Sequence, residues 1–342
     1  MPTSAPSPSW SSSKSKYKAV NKPPPQHHLK DFNKLKERMD EALLNKRLSK
    51  QAKHEARLSH QGEGIFKLER FRFVSIDKLA KKGLKLCFLW ERAHRNIFDI
   101  QVVEQEWPLA NLPPSFDGFR LLQLSDLHLD IHPDLAPAIA RAVRKCPHDA
   151  MLITGDYRNT TNKDQEPSMA LMPQILEATQ APCYGVLGNH DFIQKVERLE
   201  RYGLRILLNE STAIERSGEQ LWIAGVDDPH FYQTHDFAAA REGIPADACS
   251  VLLCHSPEPN AEAAQYGFTL MLSGHTHGGQ ICLPGGRHLV CSSKGLPRRF
   301  VRGRWESGGM PGYTSPGTGS SGVAARLNCP PEITVHILRS AN

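Results

Sequence analysis

The sequence predicts an α/β fold, and two patterns over residues 119–338 lead to that prediction. Short apolar strands alternate with helical segments, which is the order of elements in an open α/β sheet. In addition, Asp, Asn or His residues directly follow five of the apolar strands, at the end where such sheets hold their ligands. A basic helical arm precedes this predicted domain.

The predicted elements follow one another in a regular order along the chain. Helices are expected at 133–145, 167–178 and 192–202. Residues 303–324 are rich in Gly and Ser and are expected to form a loop. Strands are expected at 119–124, 150–154, 183–187, 205–208, 212–216, 221–225, 250–254, 269–272 and 333–338.

The charge distribution separates an N-terminal arm from the body of the chain. Residues 1–100 carry 22 Lys and Arg against 10 Asp and Glu, whereas the remainder carries 20 against 26. Residues 1–30, rich in Ser, Pro and Lys, are expected to be disordered. Residues 31–100 are expected to form the basic helical arm, and the main domain should occupy 101–342. Because the body is net acidic, a stable nucleic-acid complex is not expected.

Within the arm, residues 66–98 combine basic and aromatic side chains, and two interpretations remain open. A segment with Phe88 and Trp90 among lysines could contact an anionic membrane peripherally. Alternatively, the same segment is a helix that docks on the main domain. The oligomeric state cannot be read from this pattern.

Cysteine usage and hydropathy bear on the compartment. The eight cysteines show no Cys-x-x-Cys spacing, which favours free thiols in a reducing compartment. The N-terminus has no apolar core of the kind found in secretory signal peptides, and no apolar run approaches the roughly 20 residues that span a bilayer. We therefore expect a cytoplasmic protein, peripheral at the inner face of the membrane if residues 66–98 bind lipid.

The residues that carry chemistry lie in five blocks after strand ends. Their imidazole, carboxylate and amide groups suit two closely spaced divalent ions, and the lack of thiolates favours Mn, Fe or Zn. The blocks are Asp126-Leu127-His128, Gly155-Asp156, Gly188-Asn189-His190-Asp191, the single His255, and Ser273–Gln280, which contains His275 and His277.

The spacing within each block has a physical reason. Asp126 and His128 alternate after a strand end, so both side chains can point at one ion. The two oxygens of the Asp156 carboxylate can bridge two ions, and Asn189 offers a neutral carbonyl oxygen. Glycines around His275 and His277 allow a tight backbone, so that the two imidazoles can reach different ions.

For several other polar residues the sequence gives weaker evidence of a role in the site. His132, His230, His235 and His288 are interpreted as surface or pocket residues. Asp227 and Asp228 either shape a turn or lie near the site. Four arginines form either a solvated face or a phosphate-binding patch; they are Arg298, Arg299, Arg302 and Arg304.

These motifs resemble the calcineurin-like metallophosphoesterase superfamily, and in particular its bacterial phosphodiesterase branch. The resemblance covers about 119–338 and rests on SDLHLD, TGD, GNHD, a GVDD-type loop, SGHTHGGQ followed by Leu283-Pro284, and the stretch 326–333. It implies a four-layer αββα sandwich with two mixed β-sheets, which would make residues 101–342 the catalytic domain.

The resemblance also implies a role for each site residue. Asp126, His128, Asp156 and His277 would hold one metal ion. Asp156, Asn189, His255 and His275 would hold the other. His190 would act near the leaving group, and Asp191 would orient it.

The function implied is a dinuclear metal-dependent phosphoesterase, by preference a phosphodiesterase, in which a metal-bridging hydroxide attacks phosphorus. Two alternatives are a nucleotide-lipid pyrophosphohydrolase acting on a substrate of the UDP-diacylglucosamine type, and a noncatalytic scaffold that retains the metal fold. The chain departs from the branch at Arg158 and Asn159, in a long basic loop at about 285–318, and in the basic arm that stands where the branch has a membrane segment or signal.

Overall fold

The computed structural model describes residues 34–60, 76–160, 165–288, 293 and 295–341. The expectation of disorder over 1–30, and residues 66–75 of the predicted membrane segment, lie outside these ranges. The described strands are β1 (Gln101–Leu109), β2 (Arg120–Leu124), β3 (Ala150–Ile153), β4 (Cys183–Gly185), β5 (Leu204–Ile206), β6 (Glu210–Arg216), β7 (Glu219–Gly225), β8 (Ser250–Leu253), β9 (Leu270–Ser273), β10 (Cys282–Leu283), β11 (Arg287–His288), β12 (Gly303–Ser307), β13 (Met310–Thr314) and β14 (Glu332–Ser340).

The strands form two six-stranded mixed sheets and a short hairpin. The first sheet has the order β1-β14-β2-β3-β4-β5, and β14 runs antiparallel to β2 while β2 to β5 run parallel. The second has the order β12-β13-β9-β8-β7-β6, with a parallel centre from β13 to β7. Strands β10 and β11 pair separately.

Three apolar layers hold the sheets together, because alternate residues of each central strand face opposite sides. Leu121 and Leu152 of the first sheet meet Ile223 and Val251 of the second in one buried cluster. The opposite faces of the two sheets pack in two further clusters with the surrounding helices. The predicted four-layer αββα sandwich is therefore confirmed.

The helices complete the outer layers and the arm. A short helical stretch also covers 34–38. The helices are α1 (Glu41–His60), α2 (Ile76–Leu86), α3 (Trp90–Arg95), α4 (Leu135–Lys145), α5 (Glu166–Met169), α6 (Met172–Leu176), α7 (Val196–Arg201), α8 (Phe237–Arg241) and α9 (Asn260–Ala263).

The expectation of a loop over 303–324 is wrong for its first part, where β12 and β13 form a hairpin on the edge of the second sheet. Gly308 and Gly309 both have positive φ, which fits a two-residue turn between twisted strands. The ring of Trp305 lies across Gly312, where a Cβ atom would approach it within 2.2 Å. The Gly- and Ser-rich composition of this stretch therefore did not indicate a strand, although Gly312 is needed there to leave room for the Trp305 ring.

Two other boundaries differ from the sequence prediction. The single helix expected at 167–178 is divided into α5 and α6. Strand β1 was not predicted, although a domain start near Ile100 was, and it pairs along its full length with β14. An exposed edge strand gives a weak local signal, because few of its side chains are buried.

The described part of the arm packs on the body. Arg47 of α1 is fully buried, and its guanidinium forms an ion pair with Asp227 at 3.0 Å and donates to the Asp191 carbonyl at 2.8 Å. Leu84 and Ala93 lie in an apolar cluster with Val323, Ala325 and Leu327. Docking on the main domain is thus the interpretation that fits these buried residues. Among the described helices, none is long and apolar enough to cross a membrane.

Candidate metal centre

The predicted site residues come together at the carboxyl ends of the central strands. Asp126, Asp156 and Asn189 follow β2, β3 and β4 of the first sheet, which are parallel neighbours. His255 and His275 follow β8 and β9, which are parallel neighbours of the second sheet. Because the two sheets face each other across one core, the loops at these strand ends meet.

One group of buried ligand atoms contains Asp126, His128 and His277, with all three atoms within 4.8 Å of one another. The two imidazoles stack at 24°, and their Nε2 atoms are 3.1 Å apart. The Nε2 atom of His277 lies 3.4 Å from Asp126 Oδ1.

A second group contains Asp156, His255 and His275, again with ligand atoms within 4.8 Å. Asn189 lies between the two histidines: its Oδ1 is 3.0 Å from His255 Nε2 and 2.8 Å from His275 Nδ1. The other ring nitrogen of His255, Nδ1, lies 2.7 Å from the Thr154 carbonyl, which fixes the tautomer that leaves Nε2 facing the group.

Asp156 lies between the two groups. Its Oδ2 atom is 3.7 Å from His128 Nε2 on one side and 3.4 Å from His255 Nε2 on the other. The side chain is almost completely buried. One carboxylate oxygen thus faces ligand atoms of both groups, the position that a bridging ligand requires.

Backbone conformation in the site is unusual. Five of the seven predicted ligands are non-glycine residues in the left-handed region; they are Asp126, His128, Asp156, His275 and His277, with φ between 42° and 70°. Such conformations are strained for L-residues and concentrate at functional sites. The surrounding packing therefore holds these side chains against a local backbone preference.

Glycine is required at positions 188 and 274, because neighbouring side chains lie too close for a Cβ atom. A Cβ atom on Gly274 would lie 1.8 Å from Ser125 Oγ and 2.4 Å from Asp126 Oδ2. A Cβ atom on Gly188 would lie 2.2 Å from Asp156 Oδ1. Any side chain at either position would displace a predicted ligand.

Burial and mutual charge set the pKa values of the site groups. Burial raises the pKa of Asp126 to about 6 and lowers the pKa of His128 to about 4. Burial also acts to lower the pKa of His255, but the Asp156 and Asp126 carboxylates outweigh it and raise the pKa to about 10. Burial holds the pKa values of His275 and His277 well below the usual range, and neighbouring imidazoles add to this effect.

The pKa of Asp156 is lowered, in contrast to the raised pKa of Asp126. Burial acts to raise the pKa of the Asp156 carboxyl, but the nearby imidazoles of His255, His190 and His128 outweigh it and hold the pKa well below its ordinary value. Metal ligation requires an ionised Asp156 with neutral imidazoles, and His128, His275 and His277 meet this requirement, whereas an ion must displace the proton of His255.

The side chains of His190 and Asp191 have different partners. The Nε2 atom of His190 is 4.0 Å from Asp156 Oδ2, while its Nδ1 lies 2.7 Å from the Asn159 carbonyl. The Asp191 carboxylate accepts from the backbone of Gly188, Asp156 and Tyr157 and from Lys195 Nζ at 2.6 Å. The carbonyl of Asn159 thus contacts the His190 ring, and the Asp191 carboxylate contacts the backbone of two ligand loops, while the predicted role of Asp191 as the group that orients His190 remains a prediction.

Arg326 is a residue at the site that the sequence motifs did not single out. It is fully buried, donates from Nε to the Gly319 carbonyl at 2.7 Å, and places Nη2 3.3 Å from His277 Nδ1. The residues around a single arginine in a C-terminal loop do not indicate that it is buried. The sequence analysis included Arg326 only as part of the stretch 326–333 that resembles the family.

His230 and Glu258 form a further addition, since they make a third group of ligand atoms with His275. The Nδ1 atom of His230 lies 2.8 Å from Glu258 Oε2, and its ring packs against the His275 ring at a tilt of 42°, with centroids 4.2 Å apart. His230 thus lies against the centre, in the pocket rather than on a remote surface.

Other polar residues noted in the sequence have the following positions in the structure. Asp228 accepts three backbone N–H bonds and shapes its turn, while Asp227 pairs with Arg47. His132 packs against Phe98 of the arm, with ring centroids 5.0 Å apart. The four arginines are exposed on the surface; they are Arg298, Arg299, Arg302 and Arg304.

The donor set fits two divalent cations. Two imidazole Nε2 atoms at 3.1 Å, from His128 and His277, point at each other beside a carboxylate, an arrangement that a shared cation stabilises. A second set of imidazole, amide and carboxylate donors lies on the other side of Asp156.

Comparison with known proteins identifies the family. Residues 119–279 match the family model for calcineurin-like phosphoesterases. The metallophosphoesterase YkoQ of Bacillus subtilis is 30% identical over 257 residues, which cover 72% of this chain and 93% of that protein. The chain therefore belongs to the calcineurin-like phosphoesterase family, as its motifs predicted.

Two further proteins are similar to this chain. The phosphodiesterase YaeI of Escherichia coli is 30% identical over 232 residues, which cover 64% of this chain and 81% of YaeI. Among solved structures, the calcineurin-like phosphoesterase YfkN of Bacillus subtilis aligns with 58% of this chain and 81% of its own, at 14% identity and a TM-score of 0.36. Family membership supports a hydrolase that uses divalent metal ions.

Proposed function

We propose that this chain is a dinuclear metal-dependent phosphodiesterase. The observation that carries the proposal is the position of Asp156, whose Oδ2 faces His128 on one side and His255 on the other at 3.7 and 3.4 Å. A buried carboxylate between two ligand groups is what a pair of closely spaced ions needs to share.

Seven side chains would hold the ions in this proposal. The first ion would take Asp126, His128, His277 and Asp156, and the second would take Asp156, Asn189, His255 and His275. When bound, such a pair supplies Lewis-acid stabilisation of phosphoryl charge and lowers the pKa of water. Mn, Fe or Zn suit these nitrogen and oxygen donors.

His190 is proposed to assist the leaving group. Its Nδ1 faces the Asn159 carbonyl, so Nδ1 carries hydrogen and Nε2 is left facing Asp156 and the centre. A protonated Nε2 can donate to the oxygen that departs from phosphorus. The backbone of the same residue is also held, because Arg158 Nε donates to the His190 backbone carbonyl at 2.8 Å.

Asp191 is proposed to act on the loops. Its two carboxylate oxygens accept from three backbone N–H groups, and the buried Lys195 neutralises its charge. Two of those N–H groups belong to Asp156, a predicted ligand, and to Gly188, which precedes the predicted ligand Asn189. Asp191 thereby fixes the spacing between the loops that follow β3 and β4.

A diester is preferred to a monoester because of the resemblance to the bacterial phosphodiesterases, among which YaeI is a relative. A nucleotide-lipid pyrophosphate is the alternative substrate class, and the same pair of ions could act on it. The noncatalytic alternative is disfavoured, since all seven predicted ligands are present and buried around one carboxylate.

The test is hydrolysis of a substrate panel by the full chain loaded in turn with Mn, Fe or Zn. The panel contains bis(p-nitrophenyl) phosphate, p-nitrophenyl phosphate and a UDP-linked lipid pyrophosphate. We expect turnover of the diester to exceed that of the monoester. Turnover of the pyrophosphate alone would replace the diester proposal with the alternative.

A matched pair of variants separates the site from the rest of the surface. Asp156→Asn should lose turnover, whereas Asp134→Asn, at a carboxylate with 78% side-chain exposure, should retain it. Absence of hydrolysis for every substrate and metal, with two ions bound per chain, would favour the scaffold and refute the proposal.

A further inference from the structure

The exposed apolar side chains of the described residues are concentrated in one short segment of the arm. Leu79, Leu86 and Phe88 are 59%, 81% and 94% exposed, and they make up half of the large exposed apolar side chains in the described part of the chain. We call these three residues the arm tip. Large apolar groups clustered on a surface mark an interaction site.

The geometry of α2 turns the arm tip away from the protein. Leu79 and Leu86 are seven residues apart and share one face of the helix, while Leu84 on another face is buried against Val323 and Leu327. Phe88 follows the helix with a positive φ of 58°, a strained conformation for an aromatic residue. Its side chain is not buried against any of the described residues.

Positive charge surrounds the arm tip. Lys78, Lys81, Lys82 and Lys85 of α2 are all exposed, and the same helix contains one acidic residue, Asp77, so its net charge is +3 (4 − 1). A helix with long apolar side chains among lysines is typical of a segment that lies in the interface of an anionic bilayer. The headgroup phosphates offer the negative charge that the lysines attract, and the acyl boundary accepts the apolar side chains.

Helix α3, which follows the arm tip in the chain, contacts a residue of the metal centre. The Ala93 carbonyl of α3 accepts from the Arg326 backbone at 2.8 Å, and the side chain of Arg326 reaches His277 Nδ1 at 3.3 Å. His94 and Asn96 of the same segment bond to the carbonyls of Ala324 and Arg326. One residue therefore connects the base of the arm tip to a predicted ligand.

From these observations we infer that the arm tip docks the protein on an anionic lipid bilayer. Leu79, Leu86 and Phe88 enter the interface, and the four lysines contact the phosphate headgroups. This inference concerns a binding partner, and it stands whether or not the chain hydrolyses a diester.

The experiment is co-sedimentation of the full chain with phosphatidylcholine vesicles, with and without phosphatidylglycerol. We expect binding to the anionic vesicles at low salt that weakens as salt rises, because charge attraction is screened over about 10 Å at 0.1 M and about 3 Å at 1 M. Leu86→Ser with Phe88→Ser should weaken binding by about tenfold for each side chain lost. Lys82→Glu with Lys85→Glu should weaken it by at least roughly fivefold for each lysine.

Matched controls lie elsewhere on the surface. Val102→Ser removes an apolar side chain that is 50% exposed on β1, and Lys145→Glu reverses an exposed charge at the end of α4. Neither should change vesicle binding. Hydrolysis of bis(p-nitrophenyl) phosphate, measured in parallel, should be the same in all these variants, which separates failure of docking from failure of the proposed function.

Three results would overturn the inference. The first is the absence of binding to phosphatidylglycerol vesicles at low salt, and the second is binding that persists in the Leu86→Ser, Phe88→Ser variant. The third is concentration-dependent self-association in sedimentation velocity that this variant abolishes, which would assign the arm tip to a second copy of the chain.

Discussion

Replacing Arg47 by methionine is expected to destabilise the whole protein, although the residue lies in an arm that composition alone describes as a basic appendage. Arg47 and Asp227 both have 0% side-chain exposure, and their charged atoms are 3.0 Å apart. The guanidinium also donates to the Asp191 carbonyl at 2.8 Å and stacks over the Tyr232 ring at 3.6 Å. Methionine keeps most of the volume and removes the charge, so Asp227 is left buried without its counter-ion.

The expected loss is about 3–5 kcal/mol, the usual cost of removing one partner from a buried ion pair. At roughly 2 °C per kcal/mol for a domain of this size, Tm should fall by about 6–10 °C. Asp227→Asn removes the stranded charge, because the neutral amide costs less to bury. The double variant should therefore be more stable than the sum of the two single changes predicts.

The assay is chemical denaturation of the four proteins in a double-mutant cycle, followed by intrinsic fluorescence. Lys46→Met, one position away on the exposed side of α1, is the control and should change stability by less than about 0.5 kcal/mol. An Arg47→Met variant as stable as the wild type, or additive effects in the cycle, would contradict the reasoning that α1 is docked through this pair.

Asp156→Asn should nearly abolish hydrolysis and lower metal content in elemental analysis, since its Oδ2 faces both ligand groups; normal turnover with two ions bound would refute the bridging role. His190→Ala should reduce turnover by about 10²–10⁴-fold with metal content intact, because general-acid assistance is lost; loss of one ion would show that His190 is a ligand. Gly274→Ala should lower metal content and Tm together, because its methyl group would lie 1.8 Å from Ser125 Oγ; an unchanged thermal melt would contradict this crowding.

Much of the fold could be predicted because its signals are local. The buried strands β2, β3, β8 and β9 are short apolar runs that end in polar motifs. Such a run can be recognised in the sequence without knowing which strands lie beside it. Family motifs then supplied the αββα architecture and the list of ligands. The hairpin of β12 and β13 was missed, because the packing of Trp305 over Gly312 leaves no local pattern.

The sequence by itself determined which residue types stand at the strand ends, and hence the metal chemistry that they suit. Only the tertiary structure decided which atoms face each other. It placed Asp156 between two ligand groups, placed the carbonyl of Asn159 beside the His190 ring, and buried Arg47 and Arg326. The physical reason is that strand and helix propensities act between near neighbours along the chain, whereas these contacts join residues far apart in sequence and form only when two sheets, their loops and the arm pack together.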